Sequence, residues 1–178
     1  YFRNGILACE ELGSPFISIN SGWGYLNHDR EEAFKRSGDM IRRLCVEAEE
    51  HGVFIAMESL KACETNLVVT LEDAVRMERE VDHPAFRLMA DTGAIAYNGE
   101  RLEDWFLAFG EHIGAMHFVD GMHLTWGDGK SPLDDMMASI LHHGYEGSLG
   151  LETSGGGYLR DPKEADRKAM KMLSRFIE

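Results

Sequence analysis

Five short apolar runs recur along the chain: PFISIN (15–20), VFIAMES (53–59), FRLMAD (86–91), GAMHFVD (114–120) and GSLGLE (147–152). They are continuous rather than alternating, as expected of strands buried on both faces of a parallel sheet. The segments between them carry apolar side chains at helical spacing. Residues 1–12 read as a helix stopped by Gly13. Residues 29–51 read as a second, with Ala33, Met40, Ile41, Leu44, Cys45 and Ala48 on one face and a stop at His51-Gly52. Thr70 is placed to cap LEDAVRMEREV (71–81), with Asp73 as the acidic partner of a capping box. Further helices are predicted over LEDWFLAFGEHI (102–113), over LDDMMASILHHG (133–144) after Pro132, and over 162–177. SGWGYLN (21–27), KACETNLVV (61–69) and GMHLTWGDGKS (121–131) read as loops.

Strands alternating with helices make repeated βα units and a parallel α/β sheet. A doubly wound sheet and a (β/α)8 TIM-type barrel both fit. The first βα turn has no G-x-G-x-x-G fingerprint, which weighs against a dinucleotide fold. Polar residues closing successive strands favour the barrel, whose chemistry gathers at the C-terminal rim of its strands. Only five strands are legible, so the chain reads as the C-terminal five βα units of an incomplete barrel. No linker or low-complexity tract divides residues 1–178, which are expected to form a single domain with the N-terminal strands absent.

The polar residues that close those strands define the candidate chemistry. Glu58, Asp91, His117 and Glu152 each lie at or near the C-terminal end of an apolar run, so a parallel sheet sets them in one ring. Three carboxylates and an imidazole without thiolate suit a divalent ion such as Mn, Mg, Co or Zn rather than a structural zinc site. Each residue alone has a plainer reading: a strand-end acid that caps the next helix, or a core histidine with a satisfied hydrogen bond. Four such positions at once favour the metal.

Composition narrows the partners. The net charge of −13, from 31 acidic and 18 basic residues, repels phosphate backbones and argues against nucleic acid. The three cysteines (Cys9, Cys45 and Cys63) have no metal or redox spacing and read as free thiols of a cytoplasmic protein. There is no signal peptide pattern and no apolar run near the roughly 20 residues that span a bilayer.

Five segments carry a family resemblance: MESLKACETN, LMADTGA, GAMHFVDG, GDGKSPLDDMMASILHHGYEG and LGLETS. They resemble the C-terminal part of the xylose-isomerase-like barrels, the sugar phosphate isomerase/epimerase superfamily, and within it the ketose 3-epimerases of fructoselysine 3-epimerase type. The resemblance implies a divalent metal held by Glu58, Asp91, His117 and Glu152, with Glu58 and Glu152 as acid and base. It also implies a small sugar or sugar derivative as substrate, and a homo-oligomer. The chemistry is coherent. Epimerisation beside a ketone removes a C–H proton and returns it to the other face, a divalent cation stabilises the enediolate, and carboxylates on opposite faces exchange the proton. Glu64 and Asn66 match the loop that carries substrate hydroxyl contacts. His123 and Lys130, and the aromatics Trp23, Tyr25 and Trp126, are further candidates for the sugar, or else exposed residues and rim packing.

Several ketose 3-epimerases carry a histidine three residues after the aspartate ligand. Ala94 stands there in this chain, which puts free-ketohexose specificity in doubt. The endonuclease relatives of the barrel need further metal-binding histidines, in D-x-x-H after Asp91 and D-x-H after His117, and neither is present. A sugar dehydratase or aldose–ketose isomerase on the same ring, and a catalytically silent binding protein, remain alternatives.

Overall fold

The computed structural model describes residues 1–25 and 29–176; Leu26 and Asn27 of the aromatic loop, and Ile177 of the last expected helix, lie outside them. Helix α1 (Phe2–Leu12) ends at Gly13, whose φ of 70° returns its N–H to Cys9 and Glu10 carbonyls. Strand β1 (Phe16–Asn20) leads to α2 (Arg30–Glu50), capped by the Asp29 carboxylate on Glu32 N–H at 3.0 Å. Strand β2 (Phe54–Glu58) is followed by α3 (Leu71–Val81), where Thr70 and Asp73 form the full capping box. Then come β3 (Phe86–Asp91), α4 (Thr92–Tyr97), α5 (Leu102–Phe109), β4 (Ile113–His117), α6 (Leu133–His142), β5 (Leu149–Gly150) and α7 (Pro162–Leu173).

The five strands are all parallel and pair in sequence order, β1-β2-β3-β4-β5. Each new strand adds beside its predecessor, as barrel topology requires, whereas a doubly wound sheet reverses direction at a switch point.

Several boundaries depart from the sequence reading; the helices expected to reach 144 and 177 end at His142 and Leu173. Residues 92–97, unassigned from the pattern, form α4 because Asp91 caps Ala94 N–H at 2.8 Å; six residues are too few to show a period. The helix expected over 102–113 stops at Phe109, where Gly110 takes φ 52°, and Ile113 already belongs to β4. Strand β4 ends at His117 rather than Asp120. Strand β5 is only two residues long, so Glu152 lies two positions beyond it rather than at its last residue.

Strand alternation sorts the side chains. Ile55, Met57, Leu88 and Ala90 join the large core cluster with the helices, including Phe34, Ile41, Trp105 and Phe106. Ala56, Met89 and Ala115 form a small separate cluster with Phe16 and Phe54. Successive residues of a strand face opposite sides, so Glu58, Asp91 and His117, each two positions after a member of the small cluster, share that cluster's face. Asp91 is registered with His117, and His117 with Gly150, while Glu58 pairs with Met89, two residues lower on the same face. That stagger is what tilted barrel strands produce.

Removing the capping-box hydroxyl should weaken α3 without touching the sheet. Thr70→Ala is expected to lose about 1 kcal/mol of unfolding free energy in urea titration, whereas Thr70→Ser, which keeps the hydroxyl, should lose little.

Candidate metal centre and its surroundings

The sequence places the four acidic and imidazole residues on neighbouring strand ends, and the fold closes them into one cluster. Glu58, Asp91, His117 and Glu152 each offer a ligand atom within 4.8 Å of the others. His117 turns Nδ1 into the cluster, 2.6 Å from Glu58 Oε1 and 3.2 Å from Glu152 Oε2. Asp91 is fully buried; its Oδ1 accepts from Ala94 N–H, while its Oδ2 is buried without any hydrogen-bond partner. A buried, partnerless carboxylate oxygen costs free energy unless a cation meets it. Together with an all-oxygen-and-nitrogen donor set, that oxygen makes the cluster fit a hard or borderline divalent ion.

The electrostatics agree. Burial is the largest influence on Asp91 and raises its pKa, with Glu58 adding to the rise against the Ala94 N–H. For His117, burial opposes the charged form, but the Glu58 hydrogen bond and the charges of Glu58, Glu152 and Asp91 outweigh it and raise its pKa. The carboxylates around the imidazole therefore favour its protonated form. A cation bound there would replace that proton.

A second tier sits behind Glu152. His123 Nδ1 lies 3.1 Å from Glu152 Oε2 and 3.3 Å from its carbonyl oxygen, and Nε2 lies 2.9 Å from Lys61 Nζ. Lys61 is 1% exposed and also donates to Glu64 Oε1 at 2.9 Å. Burial opposes the charged Glu64, yet the Lys61 ammonium and backbone N–H outweigh it and hold the carboxyl below its usual range. Lys61 was not legible from sequence: a lysine three residues before a glutamate in a polar loop looks solvated.

Other sequence candidates are distributed differently. Asn66 grips Gly24, accepting from its N–H at 2.8 Å and donating to its carbonyl at 2.7 Å, and so braces the loop that carries Trp23. Trp23 is 51% exposed and lines a groove with Tyr25, Arg36, Met40 and Leu67 that contains none of the four cluster residues. Trp126 is not a sugar platform: it is buried, its indole donates to Phe118 O at 3.0 Å, and the two rings pack at 4.6 Å. Lys130 is exposed in a groove with Ala96, Tyr97 and Pro132, apart from the cluster. Asp120 was missed altogether. Its buried carboxylate accepts from the N–H groups of Gly121, Gly127, Gly129 and Ser131 and so shapes the loop bearing His123. The glycine-rich GDGKS stretch, with its backbone donors in need of an acceptor, was the available signal.

The described residues include no helix long and apolar enough to cross a membrane.

The chain is similar to known proteins over nearly its whole length. It is 28% identical over 174 residues to fructoselysine 3-epimerase of Escherichia coli O157:H7, which covers 94% of this chain and 62% of that protein. It is 25% identical over 124 residues to D-psicose 3-epimerase of Ruminiclostridium cellulolyticum, covering 70% of this chain and 42% of that one. The chain thus spans less than two thirds of the length of these relatives. Among solved structures, 3-keto-D-glucoside 4-epimerase from E. coli superposes with a TM-score of 0.87 at 20% identity, over 97% of this chain and 68% of that one. D-Psicose 3-epimerase from Clostridium cellulolyticum, solved with D-tagatose, gives 0.80 at 21%, over 98% and 68%. At such identities these structures speak for the fold alone. The family model described as "Xylose isomerase-like TIM barrel" matches residues 1–176, and the chain belongs to that family.

Asp91 supplies the test of the cluster. Its folded-state pKa is raised, so the folded chain holds that proton longer than the unfolded chain does. Stability therefore falls as pH rises from the ordinary value of 3.8 through the raised one, and the penalty persists at neutral pH. His117 adds stability that is complete below the ordinary 6.5 and is lost as pH rises through its raised value. In chelator, Asp91→Asn is expected to raise the thermal midpoint at neutral pH by roughly 2–4 °C, the shift that about 1 kcal/mol gives a chain of this size. The same variant should lose most of the stabilisation that Mn2+ gives the parent.

Proposed function

We propose that this xylose-isomerase-like chain is a divalent-metal-dependent sugar epimerase or isomerase in which Glu58 and Glu152 serve as the acid–base pair. The observation that carries this reading is how the two glutamates are held. Each is engaged through a single carboxylate oxygen: Glu58 Oε1 on His117, and Glu152 Oε2 on His117 and His123. Among the described residues the other oxygen of each glutamate makes no hydrogen bond to protein and is available to a substrate C–H. A carboxylate that is fixed on one side and free on the other suits directional proton transfer.

Glu58, Asp91, His117 and Glu152 would hold the ion, which when bound would supply positive charge to the substrate's developing enediolate oxygens. The protein's own part is positional. Glu58 comes from the end of β2 and Glu152 from just beyond β5, with the Asp91 and His117 strands between them, so the two free oxygens can address opposite faces of one substrate. One glutamate removes the proton and the other returns it. His123, beside Glu152, and Glu64, beside Lys61 and His123, would contact substrate hydroxyls. Asn66 acts through the loop it braces, which presents Trp23 as an outer contact for a longer sugar derivative.

The relatives' names point to epimerisation of ketoses, and the epimerase reading is taken from them. Ala94 is fully buried and offers no side-chain hydrogen bond beside Asp91, which favours a derivatised sugar over a free ketohexose.

Incubating the chain with Mn2+ and candidate ketoses in D2O, then locating deuterium by NMR, tests the assignment. The expected result is label at C3; label at C1 or C2 would mark an aldose–ketose isomerase instead. Glu152→Gln and Glu58→Gln should each slow exchange by about 100- to 10,000-fold, the range for losing a general acid or base, with the fold intact. Near-parental exchange in either variant would overturn the pairing.

A further inference from the structure

Lys61 is the most deeply buried cation of the site, and the acid–base scheme leaves it without a role. Only 1% of it is exposed, and its ammonium lies 2.9 Å from both Glu64 Oε1 and His123 Nε2. An ammonium has three donors and no acceptor. Against Lys61, His123 Nε2 must therefore present its lone pair, and the ring proton is assigned to Nδ1. That nitrogen is the one facing Glu152, 3.1 Å from Oε2 and 3.3 Å from the backbone oxygen. Both of those atoms only accept, so the Nδ1–H form suits the two shorter contacts, at Lys61 and Glu152, whereas an Nε2–H form would set donor against donor at Lys61 and reach only the more distant Glu64 Oε1, at 3.6 Å, which Lys61 already serves.

We propose that Lys61 is a positioning residue: it fixes His123 in its Nδ1–H tautomer, so that His123 donates to the Glu152 backbone oxygen, sets that N–H 3.1 Å from Oε2, and leaves Oε1 of the glutamate directed to the substrate. The inference rests on the assignment of Glu152 as a base, but the tautomer itself does not. Glu64 completes the device. Its Oε1 accepts from the Lys61 ammonium and its Oε2 from the Lys61 backbone N–H at 3.2 Å, which pins the lysine by both ends of one carboxylate. His123 itself is carried on a tight turn at φ 55°, next to Met122 at 58°, and the buried Asp120 ties the surrounding loop down. Histidines that orient a catalytic or metal-binding carboxylate depend in the same way on the partner of their other nitrogen.

The tautomer can be read directly from two-bond 1H–15N correlations of the full chain labelled at histidine nitrogens, at about pH 8, above the ordinary imidazole range. The His123 signals are identified as those lost in His123→Gln. The parent should show Nδ1 protonated and Nε2 bare. In Lys61→Met the ratio of the two forms should move towards Nε2–H by about tenfold or more, the scale of a hydrogen bond to a charged group. Lys61→Arg, which keeps the charge and donors, should restore the parent pattern. A parent with Nε2–H, or a Lys61→Met spectrum with His123 unchanged, overturns the proposal; should Lys61→Met not fold, the parent spectrum alone decides. On activity, Lys61→Met should lower kcat for deuterium exchange, and a loss confined to KM would also overturn it. Absence of exchange in the parent would count against the proposed function and leave the tautomer result standing.

Discussion

The site depends on one electrostatic constraint: a fully buried aspartate, with one oxygen satisfied and the other unpartnered, clustered with two further carboxylates. Asp91 Oδ1 is tied to the first turn of α4, which fixes where Oδ2 must lie. Burial makes that oxygen costly as an anion, and among the described residues none donates a hydrogen bond to it. A structure that keeps such a group gives up stability for a local need for positive charge, the usual mark of a functional site. The His117 imidazole between Glu58 and Glu152 answers the same need with a proton, which explains why its pKa is raised despite burial.

That constraint organises the neighbouring residues into tiers. The strands supply Glu58, Asp91 and His117 with little freedom, because parity and register fix their face and height. Glu152 lies beyond a two-residue strand and is 44% exposed at its side chain, so it takes its position from the imidazoles of His117 and His123 rather than from the sheet. The loops after β2 and β4 then meet through Lys61, Glu64 and His123, and the Asp120 carboxylate gives the second of these loops a fixed centre. The rigid part of the sheet thus holds three of the four residues that would bind an ion, while loop contacts set the half that would touch substrate.

Much of this was legible in the sequence because it follows from periodicity. Parallel strands, their order of appearance, the helix caps at Thr70 and Gly13, and the gathering of four strand-end residues all follow from apolar runs and cap chemistry. For Asp91 the two readings set against each other at the sequence level do not exclude one another: one oxygen caps α4, which leaves the other unpartnered in the residue that belongs to the cluster. What the pattern concealed were residues whose role depends on three-dimensional neighbours. Lys61 looks like any loop lysine until the fold buries it against His123. Trp126 looks like a rim aromatic until Phe118 covers it. Asp120, read as the end of a strand, is the acceptor that a glycine-rich loop requires. The aromatic loop after β1 was legible as a loop, but its bracing by Asn66 was not, because the contact spans more than forty residues of sequence.

The central claim, that these four side chains form one divalent-ion site, is most directly tested by Mn2+ binding followed by electron paramagnetic resonance on chelator-treated protein. One ion per chain is predicted in the parent and in Glu64→Gln, with loss of the bound signal in Asp91→Ala. Absence of binding by the parent, or an undiminished site in Asp91→Ala, would contradict it.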